Sequence, residues 1–507
     1  MKHTLTRFTI ALAIATTGAF TAWLVACGPF LTGYVTVRAV HPATVAAFAS
    51  GTLGIVRPPL ARRYLVHAYR SWSAKPVLRN GLVTAADVMP DGAARQAWIK
   101  DAAQVTGRPA PLEIDPMRQT GKDYQWFQNC PDHAFAAASR TLAERTAKYR
   151  AGSATVREWV AAQDAVFTNC SNNPLALPAA PAAGSDALTR ADRAYQTAAS
   201  YFYAMQYEEA AKRFRAIAAD VSSPWQPYGR YLAARATIRR ATVPEDPGPK
   251  RNALLADAAK DLQAVVVDPG ASALGASARG LLDFIGAQID PVAQLHALAR
   301  DLAAAPQVRD QQVIDYQILF DRIVGDTVEF AYDGVEDRAA MVDGDDLTDW
   351  ILAMQGSGDG AATRALARWK ATSSVPWMVA ALWKVPATDA AAASLLDAAA
   401  KVPRTSPAFP TVAFLRTRLL VNRGNRNEAR ALLETLPSSP DGQFHDEAIN
   451  LLKSQRLRLA ASMDELLANV SRTIVAGYDG GSFDAAVPAA PPIGDATVDV
   501  DGAIALS

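Results

Sequence analysis

The stretch from Ala191 to Ile217 reads ADRAYQTAASYFYAMQYEEAAKRFRAI. Within it Ala194, Ala198 and Tyr201 precede a polar break, and Tyr207, Ala210, Phe214 and Ile217 follow it. Apolar residues three or four positions apart mark one face of a helix. The spacing therefore predicts two helices, over about 191–204 and 207–219, closed by Pro224. Neither helix can shield its apolar face alone, so the pair needs neighbours of the same kind.

This pattern resembles the tetratricopeptide repeat, a two-helix unit of 34 residues. The resemblance places Ala198 and Ala210 where paired helices cross closely, Tyr201 and Phe214 where large residues fill the space between them, and Tyr207 at the opening of the second helix. Met205 stands where the repeat usually has Gly, and Pro224 is displaced by two positions. A second copy follows in Tyr228, Leu232 and Arg235, then Ala258, Leu262, Val265 and Pro269, with an insertion rich in Pro between its helices. A lengthened loop inside a pair costs little entropy. A third copy runs through Thr417, Leu420, Gly424, Ala429, Leu433, Leu436 and Pro440, here with the Gly in place. A generic Ala-rich hairpin is the alternative for any single copy. The resemblance implies an all-α fold over 185–475, a solenoid of helical hairpins with an exposed inner face that holds other proteins.

Between these copies, Asp290-Pro291 is a helix start, with Asp as cap and Pro at the first helical position. Stretches 361–371, 375–384 and 387–401 also read as helices. Upstream, Leu60–Ser73 and Ala93–Val105 carry the period, whereas 106–125, with Pro109, Pro111, Pro116 and Gly121, reads as loop. Residues 172–184 read as a linker and 476–507 as a C-terminal tail without amphipathic period. Short β-branched runs at Val35–Val40 and Thr497–Val500 are the exceptions in a mainly helical chain.

The chain holds three cysteines, Cys27, Cys130 and Cys170. Cys130 precedes a helix that opens at Pro131 and Asp132 and runs to about Tyr149; Gly152 marks a turn. Thr155 with Glu158 fits a capping box, and the second helix ends shortly before Cys170. The start of one helix and the end of its antiparallel partner lie side by side, so a Cys130–Cys170 disulfide would staple an N-terminal hairpin within 27–171. Two free thiols, or a metal role for Cys130 with His133, are the alternatives; no second ligand pair with zinc spacing accompanies them.

At the N-terminus, Lys2, His3 and Arg7 form a basic head, Phe8–Val25 is apolar or small, and Leu24-Val25-Ala26-Cys27 closes the stretch. That layout describes an export signal over 1–26. Leu24-Val25-Ala26-Cys27 resembles the lipobox of bacterial lipoproteins, which implies that the Cys27 thiol carries a diacylglycerol and becomes the mature N-terminus. Gly28 replaces the aspartate that retains such proteins in the inner membrane, so the resemblance points to the outer membrane on its periplasmic side. The alternative is a secreted protein cut near Ala26.

The 51 basic and 50 acidic residues nearly cancel, and no basic stripe suits nucleic acid. The phosphate loop, the His-Glu-x-x-His zinc site and the Gly-x-Ser-x-Gly elbow are missing from the sequence, so we expect no catalytic residues, no metal and no cofactor. Asp343-Gly344-Asp345-Asp346 lacks the calcium ligand series and reads as a turn capping a helix at about Asp346. His67 and His296 sit in amphipathic patterns and read as packing or surface residues. Trp350, Trp369, Trp377 and Trp383 read as core, with a peptide or sugar groove as the sharper alternative. The expected function is a non-enzymatic envelope lipoprotein that binds envelope proteins along its repeats and meets the membrane only through its anchor. The alternatives are a SusD-like glycan- or nutrient-binding lipoprotein, which also combines a lipobox with tetratricopeptide helices, and a peptidoglycan-cleaving enzyme, for which no catalytic Glu can be placed.

Overall fold

Half the residues are hydrophobic and spaced mainly at the helical period, and helix dominates the computed structural model. It describes residues 33–38, 40–42, 44–76, 78, 82, 92–107, 113–120, 125–244, 250–325, 344–478 and 496–498. Cys27, residues 1–26 read as an export signal, and Asp343 lie outside these. The chain divides into two units, one built from 1–83 with 296–507 and the other from 84–295. The boundary expected at 172–184 is therefore not where the chain divides. Those residues carry no helix and are tied to neighbouring helices: Ala176 O accepts from Asn169 Nδ2 and Ala179 O from Arg193.

In chain order the first unit begins with β1 (Gly33–Val35), α1 (Val45–Ala49) and α2 (Arg62–Trp72). The second unit follows with α3 (Ala93–Thr106), β2 (Met117–Thr120), β3 (Gln125–Gln128), α4 (Asp132–Tyr149), α5 (Ala154–Thr168), α6 (Ala187–Tyr203), α7 (Tyr207–Ala219), α8 (Gln226–Thr242), α9 (Arg251–Val267) and α10 (Gly275–Ile289). From α4 to α10 each helix packs on the next, and α3 packs on α4 and α5. One core runs from Trp98 through Phe135, Trp159 and Phe167 to Phe214 and Ala236, so the α4–α5 pair belongs to the same helical succession as α6–α7. A second core, from Ala234 to Ile285, joins α8, α9 and α10.

Local chemistry sets the joints. Ser153, not Thr155, caps α5: its Oγ accepts from Val156 N. Residues 117–120, which had read as loop, pair antiparallel with 125–128, Met117 opposite Gln128. Arg118 donates from Nη1 to the carbonyls of Asn169, Ser171 and Tyr203, while buried Asn129 donates to those of Asn169, Cys170 and Tyr203. These are carbonyls that helix ends leave unpaired. Beside them Cys130 and Cys170 are disulfide-bonded, with Cα atoms 5.5 Å apart, joining the start of α4 to the end of α5. Gly229 in α8 is where backbones meet: a Cβ there would lie 2.5 Å from Ala218 N and 2.8 Å from Phe214 O of α7.

The turns of α6–α7 and of a later pair, α17 (Phe409–Asn422) with α18 (Arg426–Glu434), are closed alike. Gln206 N donates to Tyr201 O and Asn425 N to Leu420 O, each at 2.9 Å. The residue before the donor is left-handed in both, Met205 at φ 64° and Gly424 at φ 79°. This is a helix end that favours Gly, so Met205 holds it against steric cost.

The first unit resumes with α11 (Pro291–Ala304), α12 (Asp310–Val324), α13 (Asp346–Gln355), α14 (Gly358–Thr372), α15 (Val375–Lys384), α16 (Ala392–Ala400), α17, α18, α19 (Asp446–Arg458), α20 (Met463–Val470), β4 (Ser471–Thr473), β5 (Ala476–Tyr478) and β6 (Ala496–Val498). Part of the expected tail is thus strand. β5 pairs antiparallel with β1, Gly33 opposite Tyr478, and β4 with β6, Ser471 opposite Val498. Asp290 and Asp345 cap α11 and α13 through their carboxylates.

Residues 33–76 cross this unit as a strap, meeting its helices in reverse order. Thr36 O accepts from Asn450 of α19. Arg57 pairs with Glu447 at 2.7 Å. Val56 N donates to Thr411 of α17, and Val56 O accepts from Trp383 of α15. α2 then packs on α12, α13 and α15 and is buried on nearly every side. Its arginines are engaged rather than solvated. Arg62 reaches Gln355, Asp321 and Gly325 O and lies 4.0 Å from the Phe320 ring centroid. Arg70 donates to Leu302 O and Ala305 O at the end of α11. Burying a cation is tolerable only with such partners.

Candidate functional site

The second unit holds a cleft of about 120 Å³ on its helical succession, room for about four waters or one phenyl-sized side chain. Its walls come from α4 (His133, Ala137), α5 (Trp159, Phe167), α6 (Tyr195, Ala199, Tyr203), α7 (Phe214) and α8 (Leu232, Arg235). They are both helices of the first two pairs and the first helix of the third. Small residues, Ala137 and Ala199, leave the space; aromatic rings border it.

The polar groups of the cleft are mostly bound to one another. Asp192, 2% exposed, accepts from Arg145 Nε at 2.7 Å and Nη2 at 2.9 Å. Its Oδ1 also accepts from Trp225 Nε1 at 2.8 Å. The bidentate pair is the geometry in which a guanidinium and a carboxylate bind most strongly. The bonded Asp192 carboxylate holds the Arg145 guanidinium pKa above its ordinary value despite burial. Trp225 in turn stacks on Tyr195 with ring centroids 4.3 Å apart. Gln196 donates to Trp159 O at 3.1 Å and to Gln163 at 3.3 Å. A carboxylate held by three donors is already committed, so Asp192 serves as a brace for the aromatic wall.

Burial pushes the Tyr195 and Tyr203 hydroxyl pKa values up. It pulls that of His133 down, helped by the positive charge of Arg235 and Arg239. At neutral pH these groups offer hydrogen bonds rather than added charge. The wall is therefore aromatic and neutral, with the Arg235 guanidinium as its cationic corner.

Of the repeat-signature residues in this unit, Phe214 lines the cleft and the others do not. Ala198 and Ala210 are fully buried, and Tyr207 and Phe214 nearly so, in the core from which the cleft opens. Tyr201 is half-buried, with the Arg213 guanidinium 4.7 Å from its ring centroid. In the other unit Ala429 is fully buried and Gly424 forms the left-handed turn. Trp350 and Trp377 are buried and Trp369 and Trp383 half-buried, so they form no aromatic groove together. His67 is buried in α2, and its pKa falls to about 4 through loss of solvation. His296 bonds Asp345 at 2.7 Å.

Sequence reading missed the cleft because its parts are dispersed. Arg145 and Asp192 lie 47 residues apart and each reads as solvated helix surface. Among the described residues, no three His, Cys, Asp or Glu side chains are placed to hold a metal ion, and no helix is long and apolar enough to cross a membrane. No family model, curated protein or solved structure matches the chain.

Proposed function

We propose that the chain is a non-enzymatic lipoprotein of the bacterial cell envelope, anchored through Cys27, whose tetratricopeptide-like solenoid binds partner proteins. One observation carries this reading: five successive helices of three pairs line a single aromatic cleft whose carboxylate already accepts from three donors. Such a cleft seats a side chain of a partner, and its braced rings lose little freedom on binding. Large aromatic residues and arginine are the side chains that dominate protein recognition. The export signal and lipobox support the compartment, and the disulfide fits an oxidising one.

The test is capture from detergent-solubilised envelope with the lipidated chain and its Ala137→Arg variant, which fills the cleft from a half-buried position. Specific proteins should co-purify with the parent and fall at least tenfold with the variant, at unchanged helicity. An unchanged set of proteins would sink the cleft as the binding site. Affinity for oligosaccharides without protein partners would favour the SusD-like alternative. Fatty-acid labelling that is lost in Cys27→Ala tests the anchor.

A further inference from the structure

The outer face of α20 carries Met463 and Leu467, 66% and 60% exposed. They stand four residues apart, hence on one side of the helix, and no residue of α20 is buried. The helix is placed by polar ties on its inner side: Arg430 of α18 binds Glu465 at 2.6 Å, and Ser462 caps the first turn. An exposed apolar pair on one side of a short helix suits the apolar boundary of a bilayer.

The strap says which surface that is. Asn450 Nδ2 donates to Thr36 O at 2.8 Å and to Thr473 O at 2.7 Å, so the end of β1 lies against the end of β4. β4 follows α20 directly. Leu467 thus stands within about 20 Å of Thr36, by chain geometry. Only five residues separate Cys27 from Gly33, a span of about 20 Å at full extension. A lipid on Cys27 would hold this edge of the first unit beside the bilayer.

We propose that the Met463–Leu467 face of α20 rests on the surface of the bilayer that carries the Cys27 anchor. The proposal rests on the lipoprotein reading for its tether. Two side chains are too few to hold a soluble protein on a membrane, but a tether converts docking into an intramolecular step at high effective concentration.

The experiment supplies the tether chemically. A chain beginning at Cys27 is coupled through that thiol to a maleimide phospholipid. It is then reconstituted in phosphatidylethanolamine–phosphatidylglycerol vesicles doped with a diazirine-bearing phosphatidylcholine. After illumination and trypsin, lipid adducts should concentrate in peptide 459–472. The expected excess is at least fivefold over the peptides holding Ile318 and Val221, which are 58% and 90% exposed. Met463→Asp with Leu467→Asp should bring 459–472 down to the control level. Adducts no more frequent there than in the controls, or a chain-to-chain cross-link at the same peptide in their place, overturn the proposal. Because the anchor is installed by chemistry, that failure is separate from failure of lipidation in the cell, which fatty-acid labelling reads.

Discussion

Replacing Asp192 by Asn removes the charge that Arg145 was built around. The carboxylate is 2% exposed, and both of its oxygens accept from the Arg145 guanidinium. The variant keeps the shape but leaves the buried guanidinium with only the exposed Glu144, 3.1 Å from Nη1, as a charged partner. Stranding one partner of a buried pair costs about 3–5 kcal/mol. The Trp225 bond to Oδ1 weakens as well, so the Tyr195–Trp225 stack loses its brace. Arg145→Met with Asp192→Leu removes both charges and should recover much of the loss, because well-packed apolar residues often replace a buried ion pair at little cost. The assay is a double-mutant cycle by urea denaturation, following the tryptophans of the second unit, with the midpoint and slope reported separately. A single Asp192→Asn loss under about 1 kcal/mol, or a double variant as unstable as the sum of the singles, would refute the argument that this pair is buried and mutually dependent.

Three further outcomes follow from other contacts. Gly229→Ala drives a Cβ into the α7 backbone and should cost about 1–3 kcal/mol by thermal denaturation, whereas Gly360→Ala, whose Cβ would meet nothing within 4 Å, should not destabilise. Reducing Cys130–Cys170 reopens a loop of 40 residues and should cost about 4 kcal/mol on the chain-entropy account, read as a lower urea midpoint in dithiothreitol. His67 is neutral when folded because burial lowers its pKa from 6.5 to about 4; the unfolded chain takes up the proton first, so this stability is complete above pH 6.5 and lost as pH falls towards 4. The full loss is about 3 kcal/mol, and His67→Gln should flatten that slope in urea midpoints taken at about pH 4.5 and about pH 7.

Much of the helical pattern could be read along the chain because each helix announces its own buried side. The stretch 375–384 is a helix with those ends, and the carboxylates of Asp290 and Asp345 mark the starts of their helices. The strap could not be read this way. Arg62, Arg63 and Arg70 look like a solvated face of α2, and their burial depends on groups more than 200 residues away, such as Gln317, Asp321 and Leu302. The pairing of 117–120 with 125–128 was hidden for a similar reason. The polar residues there show no alternation, and the pair is held by carbonyls at the ends of α5 and α6 that Arg118 satisfies. The cleft likewise needs five helices whose inward residues are meaningless one at a time. Local periodicity sees a helix's own face, but not which distant backbone will cover its charges.

The reverse course of the strap also sets a timetable for assembly. Its first strand pairs with Ala476–Tyr478, and the α2 arginines wait for carbonyls beyond residue 300. Residues 84–295 emerge between these halves and contain their own cores, so they can condense while the opening segment is still unpartnered. During synthesis that segment must remain uncommitted, its buried charges exposed, until nearly the whole polypeptide has been made. A chain cut short before α19 would leave α2 with its neighbours from α11 to α15 yet deprive β1 and Arg57 of theirs. Quality control that tugs on the amino-terminal end would thereby sense whether the carboxy-terminal end has arrived.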